Sequence, residues 1–166
     1  RHRDADRRES ERYDALAHTL KVAACAAHDA YACYWAAVDF GDEGAASTPK
    51  ATRYYRWALQ FAEERCDKGY GTECATYGYW RSPHDMMVMS VDAIKPDLSA
   101  TRAFFIRACR LDHGPGCWAL GNTYQRGEGG ARDVPAARKA FEKACKLDHQ
   151  SGCISLRSLN KTFPKR

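Results

Sequence analysis

Apolar residues recur along this chain at helical spacing, and they do so in four blocks. The third block reads best: the segment from Leu98 to Leu111 places Phe104, Phe105, Ala108, Cys109 and Leu111 at helical spacing. The fourth, from Val134 to Leu147, places Ala137, Ala140, Phe141, Ala144, Cys145 and Leu147 in the same way. Spacings of three and four residues put such positions on one side of an α-helix. The second block runs from Pro49 past Tyr54, Tyr55, Ala58, Phe61 and Ala62 to Cys66, and the first spans roughly Arg7 to Ala27 with Leu16, Leu20 and Ala24. Start signals agree. Asp97 and Asp133 stand where N-caps belong, Ser47 or Thr48 precedes Pro49, and Pro135 falls in a first turn.

A second helix is predicted after each block. Cys117 is followed by Leu120, Gly121 and Tyr124, a small residue for close approach with an aromatic beside it. Tyr77 and Gly78 keep part of that pattern, and Ala36, Ala37 and Phe40 do the same steric job in the first block. The fourth has Leu156, Arg157 and Asn160, and a charge in place of the small residue is what a terminal, capping repeat carries.

Each block ends at a cysteine and each partner helix begins near one. The eight cysteines form four pairs with seven residues between members: Cys25 and Cys33, Cys66 and Cys74, Cys109 and Cys117, Cys145 and Cys153. Successive pairs start 41, 43 and 36 residues apart, the mark of an internal repeat. On an unbroken helix, residues i and i+8 lie about 12 Å apart, too far for a disulfide, whose Cα atoms sit within about 7 Å. Bonded pairs therefore require a turn inside each. Asp67-Lys68-Gly69-Tyr70-Gly71, Asp112-His113-Gly114-Pro115-Gly116 and Asp148-His149-Gln150-Ser151-Gly152 are turn-forming sets, with Pro read as a helix stop. His28-Asp29-Ala30 is the weakest of the four. Zinc ligands are usually paired two to four residues apart, and free buried thiols are the other rival. Disulfides imply an oxidising compartment.

The segment from Cys117 through Leu120-Gly121, Tyr124, Gly127-Glu128-Gly129-Gly130, Pro135-Ala136-Ala137 and Phe141 to Cys145 resembles a Sel1-like repeat, a relative of the tetratricopeptide repeat. With its paired cysteines the chain resembles the Helicobacter cysteine-rich proteins, well over residues 95–157 and loosely over 7–94. The resemblance implies an all-α fold, an α/α solenoid of about four Sel1-like helix pairs, each clamped by a disulfide. It implies a single domain over 1–166 with repeats near 7–44, 47–81, 97–130 and 133–163. It also implies a protein-binding or adaptor role outside the cytoplasm, periplasmic or secreted. Relatives described as penicillin binders or weak β-lactamases supply one alternative. A structural subunit or assembly factor of an envelope complex is another, and a mitochondrial intermembrane-space factor shares the architecture.

Composition narrows this. The net charge is +5, but residues 1–130 carry −1 (17 Lys/Arg, 18 Asp/Glu) and residues 131–166 carry +6 (9 Lys/Arg, 3 Asp/Glu). Such a basic end is a solvated surface or a contact for an acidic partner. No aromatic-interleaved basic run points to nucleic acid, and no apolar run is long enough to span a membrane. No signal peptide is visible, and the opening Arg1-His2-Arg3-Asp4 suggests a trimmed chain.

Candidate chemistry is sparse, and no catalytic residue, metal ligand or cofactor is expected. Ser47-Thr48-Pro49-Lys50 and Ser158-Leu159-Asn160-Lys161 both match Ser-x-x-Lys, yet Ser-Asp-Asn is absent and Lys161-Thr162-Phe163 is not Lys-Thr-Gly. His113 and His149 share one repeat position, which fits a role at helix ends. Binding candidates are clearer. The insert 82–94 holds all three methionines, Met86, Met87 and Met89, suited either to an adaptable contact or to plugging a gap between unequal repeats. An aromatic surplus, with Tyr54, Trp57, Trp80 and Trp118 foremost, exceeds what thin helix pairs need. Such residues carry energy at interfaces when they do not simply fill a core. The expectation is a non-catalytic scaffold that binds a protein or peptide on its concave face.

Overall fold

The computed structural model describes residues 2–42, 49–84 and 95–164. Eight α-helices account for the regular structure among them: α1 His2–Ala26, α2 Ala30–Asp42, α3 Pro49–Asp67, α4 Gly71–Trp80, α5 Leu98–Arg110, α6 Gly114–Arg126, α7 Val134–Lys146 and α8 Gln150–Thr162. The chain divides into two compact units, one holding residues 1–61 with 90–94 and the other residues 62–89 with 95–166. Among the described residues no helix is long and apolar enough to cross a membrane.

All four cysteine pairs are disulfides, with Cα–Cα separations of 4.4–4.6 Å. The turn that brings them together is the same each time. Three residues after the first cysteine the backbone enters the left-handed region, at His28, Gly69, Asp112 and Asp148. The N–H of the next residue, Asp29, Tyr70, His113 or His149, donates to the carbonyl five residues back. The left-handed residue itself donates three back, to the first cysteine's carbonyl. This pair of bonds is a Schellman motif, which satisfies carbonyls that a helix end otherwise leaves open. The following residue precedes the second helix, and at Tyr70, His113 and His149 it is an extended N-cap. Its carbonyl accepts from the second cysteine's N–H in all four turns. Asp29 Oδ1 also accepts from Ala32 N–H, and His113 Nδ1 from Gly116 N–H.

Two expectations change here. The first pair, weakest in turn-forming residues, makes the same turn as the others. His28 takes the left-handed position at φ 67° and its ring stacks on Phe61 at 4.3 Å. The turns are also shorter than composition indicates. Only three residues separate the paired helices, and Gly114-Pro115-Gly116 already lies inside α6, so Pro115 opens a helix rather than stopping one. A proline needs no N–H partner in a first turn, and at that position it cannot break anything.

In the first unit α1 packs against α2, and the interior is built from small residues: Ala36, Ala37, Ala51 and Ala58 are fully buried beside Tyr55 and the Cys25–Cys33 bridge. In the second unit α4 packs on α5, α6 on α5 and α7, and α8 on α7. Asp97 and Asp133 cap α5 and α7 by accepting from Ala100 and Ala136 N–H, as the sequence predicts. The glycines on the second helices seat aromatic rings of the next repeat. A β-carbon on Gly78 would stand 2.7 Å from Phe105 Cε1, and one on Gly121 would collide with the Phe141 ring. On α8 the corresponding position is Arg157, which is exposed.

Candidate functional site

In the second unit a groove of about 480 Å³ opens between α5 and α7. Helical spacing builds its walls: Ile106 and Arg110 are four apart on α5, while Ala136, Lys139, Ala140 and Lys143 share one face of α7. Leu120 and Tyr124 of α6, with Cys109 of the third disulfide, complete an apolar lining. The rim is basic. Lys139 and Arg110 are exposed, and Lys143 Nζ is drawn 2.7 Å from Asp112 Oδ1 at the edge. Tyr124 is held beneath the Arg102 guanidinium, 4.9 Å from its ring centre. Arg102 also clamps the glycine-rich loop, donating to Glu128 O at 2.6 Å and to Thr123 O and Gly130 O at 3.2 Å.

The first unit has a groove of about 360 Å³ lined by Cys25, Ala26, His28, Trp57, Gln60 and Phe61. Its lining occupies the same repeat positions. Trp57, Gln60 and Phe61 precede Cys66 by nine, six and five residues, as Ala136, Lys139 and Ala140 precede Cys145. Cys25 and Ala26 correspond to Cys109 and Arg110. The same surface, between the end of one first helix and the middle of the next and beside a disulfide, is therefore concave twice. Its chemistry differs: aromatic in the first unit, small, apolar and basic in the second. Trp57 is 38% exposed there, and Tyr54 meets it edge-on at 5.2 Å while also contacting Phe40 at 5.1 Å.

The predicted binding residues scatter accordingly. Met86, Met87 and Met89 lie outside the described residues. Trp80 is buried, 5% exposed, at the end of α4. Trp118 is half-buried between two core clusters, and its Nε1 donates to Ser155 Oγ at 3.0 Å. Of the described candidates Trp57 lines a groove, and Tyr54 packs against it. The residues that sequence reading missed are Ile106, Arg110, Leu120, Lys139 and Lys143. Their signal was present in the repeat register, because Lys139 and Ala140 align with Gln60 and Phe61 once the cysteines are superposed.

Ser47 lies outside the described residues, whereas Ser158 and Lys161 are exposed on α8. No cluster of three His, Cys, Asp or Glu side chains placed to hold a metal occurs among the described residues. The histidines have separate surroundings: His18 pairs with Asp39 at 3.1 Å, His84 lies 3.5 Å from Glu128, and His149 is 5.7 Å from the Trp118 ring. Burial, reinforced by nearby His149, holds the His113 pKa below its ordinary value, against an opposing pull from Glu73. A neutral His113 is what its cap to Gly116 requires, since Nδ1 accepts that bond.

No protein-family model matches the chain, and no curated protein matches it in sequence. Solved structures do. Helicobacter pylori cysteine-rich protein B superposes with a TM-score of 0.54 at 23% identity, over 83% of this chain and 90% of that one. A Sel1 repeat protein from Oxalobacter formigenes superposes with a TM-score of 0.55 at 17% identity, over 84% and 96%. At these identities the likeness establishes the fold.

Proposed function

We propose that this all-α chain, with the Sel1-like repeat solenoid fold and four disulfides, is a non-catalytic binding module for another protein or peptide. The partner occupies the surface between consecutive first helices. The observation that carries this reading is the recurrence of the groove at one repeat position in both units. A surface that stays concave while its side chains vary is how repeat proteins acquire specificity. Four disulfides and no free cysteine support an oxidising, extracytoplasmic setting, and we assign the module to the periplasm or cell exterior.

The test is site-specific photocrosslinking in a native extract under non-reducing conditions. A photoreactive residue at Trp57 or Lys139 should yield a discrete adduct, and one at Trp35, 49% exposed on α2, should not. Equal capture at all three positions would remove the groove assignment.

A further inference from the structure

We infer that the second-unit groove selects an acidic peptide segment carrying an apolar side chain. This rests on the binding-module reading and names the partner class for one of its two grooves. The inside of the groove is apolar and large enough for a branched or aromatic side chain, with Ile106, Leu120, Ala140 and Tyr124 as walls. Its rim carries Arg110, Lys139 and Lys143, and no lining residue is acidic. Arg110 and Lys139 are exposed on α5 and α7. Their cationic heads flank the apolar slot, where they would attract the carboxylates of an incoming segment. The matching repeat positions in the first unit are Ala26 and Gln60, which are uncharged. The basic rim is therefore not a requirement of the fold. It belongs to this groove, and two of its three cations, Lys139 and Lys143, lie in residues 131–166, which carry +6.

One contact sharpens the inference. Lys143 is paired with Asp112 at 2.7 Å, and Asp112 is 70% exposed. An incoming carboxylate must compete with Asp112 for that ammonium. Asp112 also holds the left-handed turn position at φ 55°, which asparagine tolerates well. Asp112→Asn thus frees Lys143 while keeping the turn.

The experiment measures labelled short peptides by fluorescence anisotropy with disulfides intact. The probes carry one Leu or Phe flanked by Glu, with a Gln-flanked twin and a Glu-only peptide. The Glu-flanked apolar peptide should bind, more weakly at high salt. Arg110→Glu with Lys139→Glu should weaken it about tenfold or more, as two exposed attractions become repulsions. Asp112→Asn should tighten it severalfold, a gain that a purely structural role for Asp112 would not produce. Unchanged circular dichroism checks that the variants remain folded. Equal affinity for the Gln-flanked twin, or indifference to charge reversal, overturns the acidic selectivity. Equal affinity for the Glu-only peptide overturns the apolar anchor. If the acidic peptide fails to bind while Trp57 and Lys139 still crosslink a partner, this inference falls and the binding-module reading stands; if both fail, both fall.

Discussion

Gly121→Ala tests how the repeats are held together. Gly121 sits mid-way along α6 with the Phe141 ring of α7 pressed on its Cα, close enough that an added β-carbon would overlap Cδ1 and Cε1 and stand 2.9 Å from Cζ. Phe141 is fully buried, in one cluster with Ala137 and Leu159, so the ring has no solvent to swing into. Alanine gains about 1 kcal/mol over glycine inside a helix. Overpacking a filled core costs about 1–3 kcal/mol. The net expectation is a loss of about 0–2 kcal/mol. Gly41, on α2, supplies the opposite case: no atom of the described residues lies within 4 Å of its added β-carbon. Gly41→Ala should therefore stabilise by about 0.5–1 kcal/mol. The assay is urea unfolding followed by far-UV circular dichroism with disulfides intact, comparing midpoints at constant slope. Combining Gly121→Ala with Phe141→Leu should give a destabilisation smaller than the sum of the single changes, because the steric conflict is removed with the ring. Gly121→Ala as stabilising as Gly41→Ala, or strict additivity with Phe141→Leu, would refute the account.

Replacing Cys145 and Cys153 together by alanine should cost about 2.5 kcal/mol, the chain-entropy value for a loop of about eight residues, measured as a lower urea midpoint. Arg102→Ala should release the loop it clamps, seen as faster hydrogen exchange at Gly127–Ala131, and Arg102→Lys should not restore protection because an ammonium cannot span those carbonyls. Asp97→Ala removes the Ala100 cap of α5 and should lower stability by about 1 kcal/mol in the same urea assay. His113 binds a proton less readily when folded than when unfolded, so stability should be complete above about pH 6.5 and fall as the pH drops below it. His113→Asn, which caps without titrating, should flatten that part of the pH profile; an unchanged profile would assign the acid sensitivity elsewhere.

Much of this architecture was legible in the residues. The helical periodicity of Phe104, Phe105 and Ala108, the caps at Asp97 and Asp133, and the regular cysteine pairs are local or short-range features. They act within one helix or one turn, which is why they can be read along the chain. His28 shows where composition misleads. It is a poor turn former, yet the left-handed position was met by the Schellman bonds around it and by stacking on Phe61, a residue 33 positions away. Pro115 misleads in the other direction, since a proline signals a helix boundary without saying on which side the helix lies.

The binding candidates were less legible, for a different reason. Trp80 and Trp57 look alike in sequence. Packing buries the first to 5% exposure and leaves the second at 38% beside a groove. Nothing within a helix's own residues distinguishes them, because burial depends on which neighbouring helix covers which face. By itself the sequence determined the helices, most of their ends and which cysteines lie close enough along the chain to pair across a turn, because each rests on contacts within about ten residues. The tertiary structure decided which faces remain open, placing Ile106 and Arg110 of one repeat and Lys139 of the next around one concavity. A groove belongs to the space between helices, and that space exists only once they are packed.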